Sequence, residues 1–147
     1  MKVQISHYTN IPPKVLYDIF QLRSTVFVVE QNCPYLDLDG KDQNCFHAWA
    51  EIDGNIIGTA RILPPDIAYP NACSIGRVAI HAHHRGGQKG SQLMQAIMHF
   101  LDQEFKKKPV IISAQEYLVQ FYGQFGFKPT KEKYLEDAIP HVKMILE

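Results

Sequence analysis

The stretch HAHHRGGQKGSQLM, residues 81–94, is the part of the chain densest in side chains that could do chemistry. Its three histidines suggest a metal site, but they fall within one loop and no cysteine pair accompanies them. Zinc and iron sites draw three or four ligands from rigid elements that converge on the ion, so we expect no metal here. We expect His81, His83 and His84 to be solvated turn residues.

The residues that follow suit a different ligand, a phosphate group. Glycines let a backbone approach a phosphate closely, and the first turn of a helix offers unpaired N–H groups and a positive dipole. The glycine spacing matches neither G-x-G-x-x-G nor G-x-x-x-x-G-K-[ST]. We therefore predict a third type of pyrophosphate loop, made by Arg85, Gly86, Gly87, Gln88, Lys89, Gly90 and Ser91.

The elements that position this loop follow from hydrophobic periodicity and turn residues. Strands are predicted at 2–8, on both sides of the Asp53-Gly54-Asn55 turn, at about 73–80, in VIISAQ and in HVKMILE; helices are predicted from Pro12-Pro13 to about Glu30, at 88–105 and in EYLVQFYGQF. The predicted order is β-α-ββ-β-α-β-α-β. This order indicates one domain, residues 1–147, with a mixed α/β sheet and helices on its faces.

Composition restricts the function classes. The chain of 147 residues is 46% hydrophobic and 20% charged, which is typical of one folded domain. Its formal charge of zero argues against a nucleic acid partner. No apolar run approaches the roughly 20 residues of a membrane helix, and the N-terminal residues lack the apolar segment of a secretion signal. Three cysteines without a CxxC pair predict reduced thiols in a cytoplasmic protein.

Two motifs together resemble a known family. RVAIHAHHRGGQKGSQLM is similar to the acetyl-CoA loop of the GNAT (Gcn5-related N-acetyltransferase) proteins, Arg/Gln-x-x-Gly-x-Gly/Ala after the fourth strand. Arg85 takes the first place and Gly90 the last, whereas Gln88 replaces the middle glycine. FYGQFGF, residues 121–127, resembles the later Phe-Tyr-x-x-x-Gly-Phe motif. Longer segments, LRSTVFVVEQNCPYLDLDGKD, GRVAI, SAQEYLVQFYGQFGF and EDAIPHVKM, resemble the ElaA-like branch and span almost the whole chain.

The resemblance implies a fold and a reaction. The fold would be a single GNAT domain with a mixed, mostly antiparallel sheet flanked by helices. The reaction would transfer an acetyl group from acetyl-CoA to a primary amine of a small molecule or to an exposed amino group. Two alternatives stay open: a GNAT-like module that binds CoA without turnover, and an acyltransferase that uses a longer acyl donor. Dimers are common in the family, so a homodimer is a further expectation.

The resemblance also assigns CoA-binding roles. The loop at 85–91 is expected to hold the pyrophosphate, mostly through backbone N–H groups. In the family, the preceding strand binds the pantetheine amides and the thioester oxygen through its backbone, which here concerns Val78, Ala79 and Ile80. Phe121 and Tyr122 of the second motif are expected to line the pantetheine site.

Acyl transfer from a thioester to an amine needs a neutral amine, a donor to the oxyanion and a proton for the leaving thiolate. Tyr122 is predicted as the general acid, because GNAT proteins commonly place a tyrosine at this position. Many of them use a glutamate on or beside the fourth strand as general base, but CSIGRVAIH contains none. Glu30, His141 and Glu116 are therefore the candidate bases, and a chain of waters is the alternative.

Charged residues outside these motifs admit two interpretations. Asp37, Asp39 and Asp42 follow the first helix, where they would be either solvated or placed beside the acceptor groove to attract a cationic amine. Arg23 and Arg77 fall in apolar surroundings, so we expect each to be paired with a carboxylate. His7, His47 and His99 are expected to be ordinary polar positions.

Overall fold

Two small antiparallel sheets lie at the centre of the molecule, which a computed structural model describes for all residues 1–147. The first sheet has the strand order β1-β2-β3-β4, with β1 (Lys2–His7), β2 (Phe46–Ile52), β3 (Asn55–Leu63) and β4 (Ser74–Ile80). The second has the order β5-β7-β6, with β5 (Val110–Gln115), β6 (Lys128–Glu136) and β7 (Ile139–Leu146). All neighbouring strands within each sheet are antiparallel, as expected for a mostly antiparallel fold.

The two sheets meet where β4 and β5 begin. Cys73 and Val110 form a parallel bridge, the Cys73 N–H donates to the Pro109 carbonyl at 2.9 Å, and the Ile111 N–H donates to the Cys73 carbonyl at 2.9 Å. Beyond this point β4 and β5 do not pair with each other. A bulge in β4 places two residues, Arg77 (at φ +51°) and Val78, opposite the single residue Ala60 of β3. Because a bulge bends its strand, β4 diverges from β5 and a cleft opens between them.

Three α-helices flank the sheets: α1 (Pro13–Arg23), α2 (Lys89–Glu104) and α3 (Val119–Gly123). The apolar stripe of α2 is buried in the main core, where the helix packs against the strands of the first sheet. The members of this stripe are Leu93, Met94, Ile97 and Leu101. The helix predicted to reach Glu30 keeps that extent but changes type, because residues 24–30 form a π-helix after Arg23. This π-helical segment continues α1, and some of its side chains line the cleft.

The predicted element order lacks one strand, β6. Its residues KPTKEKYLE are almost all exposed on this edge strand, so the hydrophobic alternation that marks a half-buried strand is missing. Asp137 and Ala138, both at positive φ, form the tight turn that joins β6 to β7. The predicted helix EYLVQFYGQF is also shorter than expected, with a 3-10 turn at residues 116–118 before the five residues of α3.

Candidate active site

A cavity of about 850 Å³ occupies the cleft between β4 and β5. Its wall is formed by both strands, the loop after β4, the π-helical segment, α3 and the β6–β7 turn. This volume lies in the range of small-molecule sites, roughly 300–1,000 Å³. The divergence of the two strands therefore creates a site of a size that suits a bound cofactor and a small substrate.

The loop predicted to bind pyrophosphate has a backbone that favours glycine at three successive positions. Gly86, Gly87 and Gln88 have φ values of +95°, +62° and +59°, and α2 begins directly after them. Gln88 therefore adopts the left-handed conformation that a glycine would take at the middle position of the motif. For a residue with a side chain this conformation costs about 1–2 kcal/mol. The replacement changes the residue and keeps the shape of the loop.

The two family motifs are in contact in the structure. A Cβ atom added at Gly90 would lie 3.6 Å from the ring of Phe121, which is ordinary van der Waals contact. Gly90 and Phe121 both line the cavity, together with the preceding strand residues Val78, Ala79 and Ile80. These strand residues have no strand partner on the β5 side. Arg85 engages the Ile80 carbonyl, and the other backbone groups on that side are free for a ligand.

Arg85 forms an ion pair with Glu30 of the π-helical segment. Its Nη1 and Nη2 atoms contact the two carboxylate oxygens of Glu30 at 2.7 and 2.8 Å, and its Nε donates to the Ile80 carbonyl at 3.0 Å. Both side chains are partly exposed. The structure thus brings together two residues that the sequence assigned to different tasks, and it engages both oxygens of Glu30.

Tyr122 lies on the cavity wall and is 8% exposed. Its ring packs edge-on against Phe121 at 5.1 Å and Phe127 at 6.2 Å between ring centroids. Burial raises the pKa of the Tyr122 phenol to about 12, and no hydrogen bond within the protein counteracts that effect. The hydroxyl is therefore protonated at neutral pH.

His141 also lines the cavity and is nearly buried, at 7% exposure. Its Nδ1 lies 2.7 Å from the Ile139 carbonyl, and its Nε2 lies 3.3 Å from Oε2 of Glu136. The third candidate base, Glu116, is exposed and does not line the cavity. Among the candidate bases, the cavity therefore holds Glu30 and His141.

The acidic loop after α1 forms a buried ion-pair network. Arg23 contacts Asp37 at 2.8 Å and Asp42 at 2.7 Å, and Arg77 contacts Asp37 at 2.7 Å. This confirms the prediction that Arg23 and Arg77 pair with carboxylates. The prediction that the loop's carboxylates are either solvated or turned toward the acceptor groove is wrong for Asp37 and Asp42, because the buried guanidinium groups engage them.

Asp39 is the member of this loop that lines the cavity, but Arg61 holds both of its oxygens, at 2.8 and 3.0 Å. Arg61 was not predicted from the sequence, where it is a lone arginine inside a β-strand. Burial alone would raise the pKa of the Asp42 carboxyl, but hydrogen bonding and charge from Arg23 and Arg61 outweigh it and lower that pKa. The Asp42 carboxylate is thus ionised at neutral pH.

The histidines divide into exposed and buried positions. His47 is completely buried and its Nε2 lies 3.0 Å from the Asp42 carbonyl, so the expectation of an ordinary polar position is wrong. His81 accepts from the His83 N–H at 3.2 Å in a short 3-10 turn over residues 82–84. No group of three or more His, Cys, Asp or Glu side chains is arranged to hold a metal ion. None of the helices has the length and apolarity needed to cross a membrane.

Comparison with known proteins agrees with this geometry. A family profile described as acetyltransferase (GNAT) domain matches residues 23–147. The chain is 40% identical over 143 residues to protein ElaA of Escherichia coli K12, a match that covers 96% of this chain and 93% of that protein.

Solved structures show the same relationship. The crystal structure of an acyl-CoA N-acyltransferase from Pseudomonas aeruginosa superposes with a TM-score of 0.92 at 36% identity, over 100% of both chains. That of Escherichia coli ElaA superposes with a TM-score of 0.92 at 38% identity, over 99% of both chains. The divergent strands, the loop before α2 and the mixed sheet are therefore those of a known transferase fold. The chain belongs to the GNAT family and to its ElaA-like branch.

Proposed function

We propose that the protein is an acyl-CoA-dependent N-acyltransferase that transfers an acetyl group from acetyl-CoA to a primary amine of a small molecule or to an exposed amino group. One observation carries this proposal. A single cavity joins Val78, Ala79 and Ile80 of the unpaired edge of β4, the loop at 85–91 and the unbonded hydroxyl of Tyr122.

CoA binding rests on the loop and its neighbours. The backbone N–H groups of Gly86, Gly87 and Gln88 and the first turn of α2 would bind the pyrophosphate, because a helix N-terminus attracts anions. Arg85, Lys89 and Ser91 would add side-chain donors to the same anion. The pantetheine would extend along β4 past Gly90 and Phe121 toward Tyr122.

The catalytic steps follow from where charge develops. As the amine attacks, the thioester oxygen becomes an oxyanion, which backbone N–H groups of the bulged β4 would stabilise. As the carbon–sulfur bond breaks, Tyr122 would donate a hydrogen bond to the departing sulfur. Because its pKa is about 12, Tyr122 remains a donor at every pH at which the protein would work.

His141 is a better candidate for the general base than Glu30. Arg85 engages both oxygens of Glu30, whereas His141 lines the cavity and its Nε2 has one contact, with Glu136 at 3.3 Å. An imidazole is the side chain that most often serves as a general base.

A longer acyl donor is the second candidate function. The relative from Pseudomonas aeruginosa is named an acyl-CoA rather than an acetyl-CoA transferase, and the cavity is large. Gln88 has a positive φ that glycine adopts without strain, which supports CoA binding in either case. We expect the protein to work in the cytoplasm, where its three free cysteines would stay reduced, and a homodimer is compatible with the proposal.

The direct test follows free thiol released from acetyl-CoA in the presence of a panel of primary amines, with the acetylated product identified by mass spectrometry. The expected result is amine-dependent thiol release, faster with acetyl-CoA than with octanoyl-CoA. Binding of CoA without release with either donor would favour the non-enzymatic alternative. Absence of CoA binding by calorimetry at millimolar concentration would contradict the proposal.

A further inference from the structure

One end of the cavity carries polar side chains around His141 to which the reaction above gives no role. Glu136 ends β6, His141 lies on the neighbouring strand β7, and Ser113 lies on β5; all three line the cavity. Tyr134 lies directly opposite His141 across the β6–β7 pair, and its ring stacks on the imidazole with an interplanar angle of 15°. The register of three adjacent strands therefore assembles this cluster.

Short polar contacts connect the members of the cluster. The Tyr134 hydroxyl contacts Ser113 Oγ at short distance, and Ser113 Oγ lies 3.5 Å from Oε2 of Glu136. The same Oε2 lies 3.3 Å from His141 Nε2. On the other side of the ring, Nδ1 lies 2.7 Å from the Ile139 carbonyl. A carbonyl oxygen only accepts, so Nδ1 must carry a hydrogen.

In this tautomer two hydrogen-bond acceptors face each other. With the hydrogen on Nδ1, a neutral His141 presents the Nε2 lone pair toward the cavity, and Glu136 presents a carboxylate oxygen 3.3 Å away. Two acceptors at this distance repel each other unless a proton lies between them or a donor approaches both. A primary ammonium group has three N–H donors and a positive charge, which satisfies both atoms at once.

We propose that Glu136 and His141 form the acceptor subsite, that the acceptor is a primary amine which arrives as its ammonium form, and that this pair removes its proton. The inference rests on the proposed function and specifies its acceptor and its base. Glu136 binds the charge of the ammonium group and holds His141 ready to accept the proton. Glu136 is 55% exposed whereas His141 is 8% exposed at its side chain, so the proton passes outward through Glu136 to solvent.

The step balances. The ammonium N–H bond breaks and its proton goes to Nε2 of His141, which leaves a neutral amine with a lone pair. That lone pair forms the nitrogen–carbon bond as the carbonyl electron pair moves to oxygen; collapse then breaks the carbon–sulfur bond. The second nitrogen proton goes to the departing thiolate by way of the Tyr122 hydroxyl, which gives its own proton to sulfur and takes one back. The net reaction releases one amide, one thiol and one proton, and that proton is the one that His141 took.

Neighbouring charged groups do not neutralise the subsite. Lys143, on the strand of His141, contacts Glu132 at 3.6 Å and lies over the Tyr69 ring at 5.4 Å. Burial raises the pKa of the Tyr69 phenol, and the nearby charges of Glu136 and Glu132 raise it further. Tyr69 therefore lies close to these carboxylates. Asp137 also lines the cavity, so the subsite is negative overall and favours a cation.

Two amines of nearly the same shape distinguish a catalytic role of Glu136 and His141 from a purely structural one. Phenethylamine is an ammonium ion at neutral pH and needs deprotonation, whereas O-benzylhydroxylamine is already neutral. His141→Gln should lower kcat/KM for phenethylamine about 100-fold or more, because general base catalysis typically contributes 10²–10⁴-fold. It should lower kcat/KM for O-benzylhydroxylamine far less. Glu136→Gln should show the same preference with a loss of about 10- to 100-fold, mainly through a higher KM for the cationic amine.

Glu132→Gln is the matched control, since it removes a more exposed carboxylate from the same strand. It should leave both amines unaffected, and all three variants should bind CoA like the wild-type protein. Equal losses on the two amines, or no loss in either variant, would overturn this inference while leaving N-acyltransfer intact. Failure of the wild-type protein to acetylate either amine would contradict the proposed function together with the inference.

Discussion

At the scale of single residues, Tyr122 and His141 occupy comparable positions on the wall of one cavity. Each is nearly buried, each presents one polar atom to the cavity, and each is held by aromatic stacking. They differ in their chemistry, since a phenol with a pKa of about 12 donates and an imidazole lone pair accepts. On this difference rests our proposal that Tyr122 is the acid and His141 the base.

Replacing Tyr122 by phenylalanine tests the acid role. The substitution removes one hydroxyl that makes no hydrogen bond in the protein, so the fold and CoA affinity should be preserved. The value of kcat should fall about 100- to 1,000-fold, as is typical when a positioned proton donor is lost. Steady-state kinetics with acetyl-CoA, together with calorimetry of CoA binding, separate the two effects. An unchanged kcat would mean that Tyr122 only packs.

Residues with local partners could be predicted from the sequence, whereas those with distant partners could not. Arg85, Gly90 and Tyr122 stand in short motifs whose spacing reflects a loop and one helix turn. Glu136 reaches His141 only through the β6–β7 register, and β6 itself shows no alternation. The pairing of Arg23 was predictable because an arginine in an apolar stripe needs a carboxylate, but its partners lie 14 and 19 residues away.

At the scale of elements, the loop before α2 shows how the conformation of a motif survives a change of residue. Gln88 holds φ +59° and Gly90 lies inside the first turn of α2 against Phe121. The middle position thus requires a backbone conformation, and the last position requires a small side chain. These two requirements predict opposite outcomes for substitutions two residues apart.

Gln88→Gly should keep CoA affinity, because glycine adopts positive φ without strain. Gly90→Val should weaken CoA binding by about 10- to 100-fold, since a branched side chain must displace Phe121 or fill the cavity; a single buried clash typically costs about 1–3 kcal/mol. Gly90→Ala is the control and should bind CoA, because its Cβ makes only ordinary contact. Calorimetric titration with CoA measures all three, and equal affinity for the two Gly90 variants would refute this account of the loop.

The buried ion-pair network fixes α1 and its following loop to β3 and β4. Asp42 contacts Arg23 at 2.7 Å and Arg61 at 3.2 Å, and all three side chains are nearly inaccessible. Removing one partner leaves an uncompensated buried charge, which is far more harmful than replacing the whole network. The sequence left open whether this loop is solvated or lies beside the acceptor groove; the structure makes it a support of the cavity.

Asp42→Asn should lower the free energy of unfolding at pH 7 by about 3–5 kcal/mol. The control Asp18→Asn breaks an exposed pair with Lys14 and should cost less than about 1 kcal/mol. The pKa of Asp42 is lowered in the folded state, so its contribution is present above the ordinary carboxyl pKa of about 4 and is lost as the pH falls. Urea denaturation should therefore show the wild-type advantage narrowing from pH 6 to pH 3; a constant gap would contradict the assignment.

At the scale of the whole molecule, the separation of the sheet into two halves produces the site. The halves are joined through Cys73 and Val110, diverge at the bulge of Arg77, and enclose the cavity between β4 and β5. The predicted order of elements conveyed a mixed sheet with flanking helices, and the structure confirms that class. The divergence itself depends on one bulge and one missing pairing, which leave no mark on hydrophobic periodicity.

The central claim is that this cleft binds acyl-CoA with its thioester between the acid and the base. A crystal structure of the protein with bound acetyl-CoA tests it most directly. We expect the pyrophosphate on the backbone of residues 85–91, the sulfur within about 3.5 Å of the Tyr122 hydroxyl, and the open face of the thioester carbon toward His141 and Glu136. A thioester that faces away from both His141 and Tyr122, or CoA bound outside the cleft, would contradict the account.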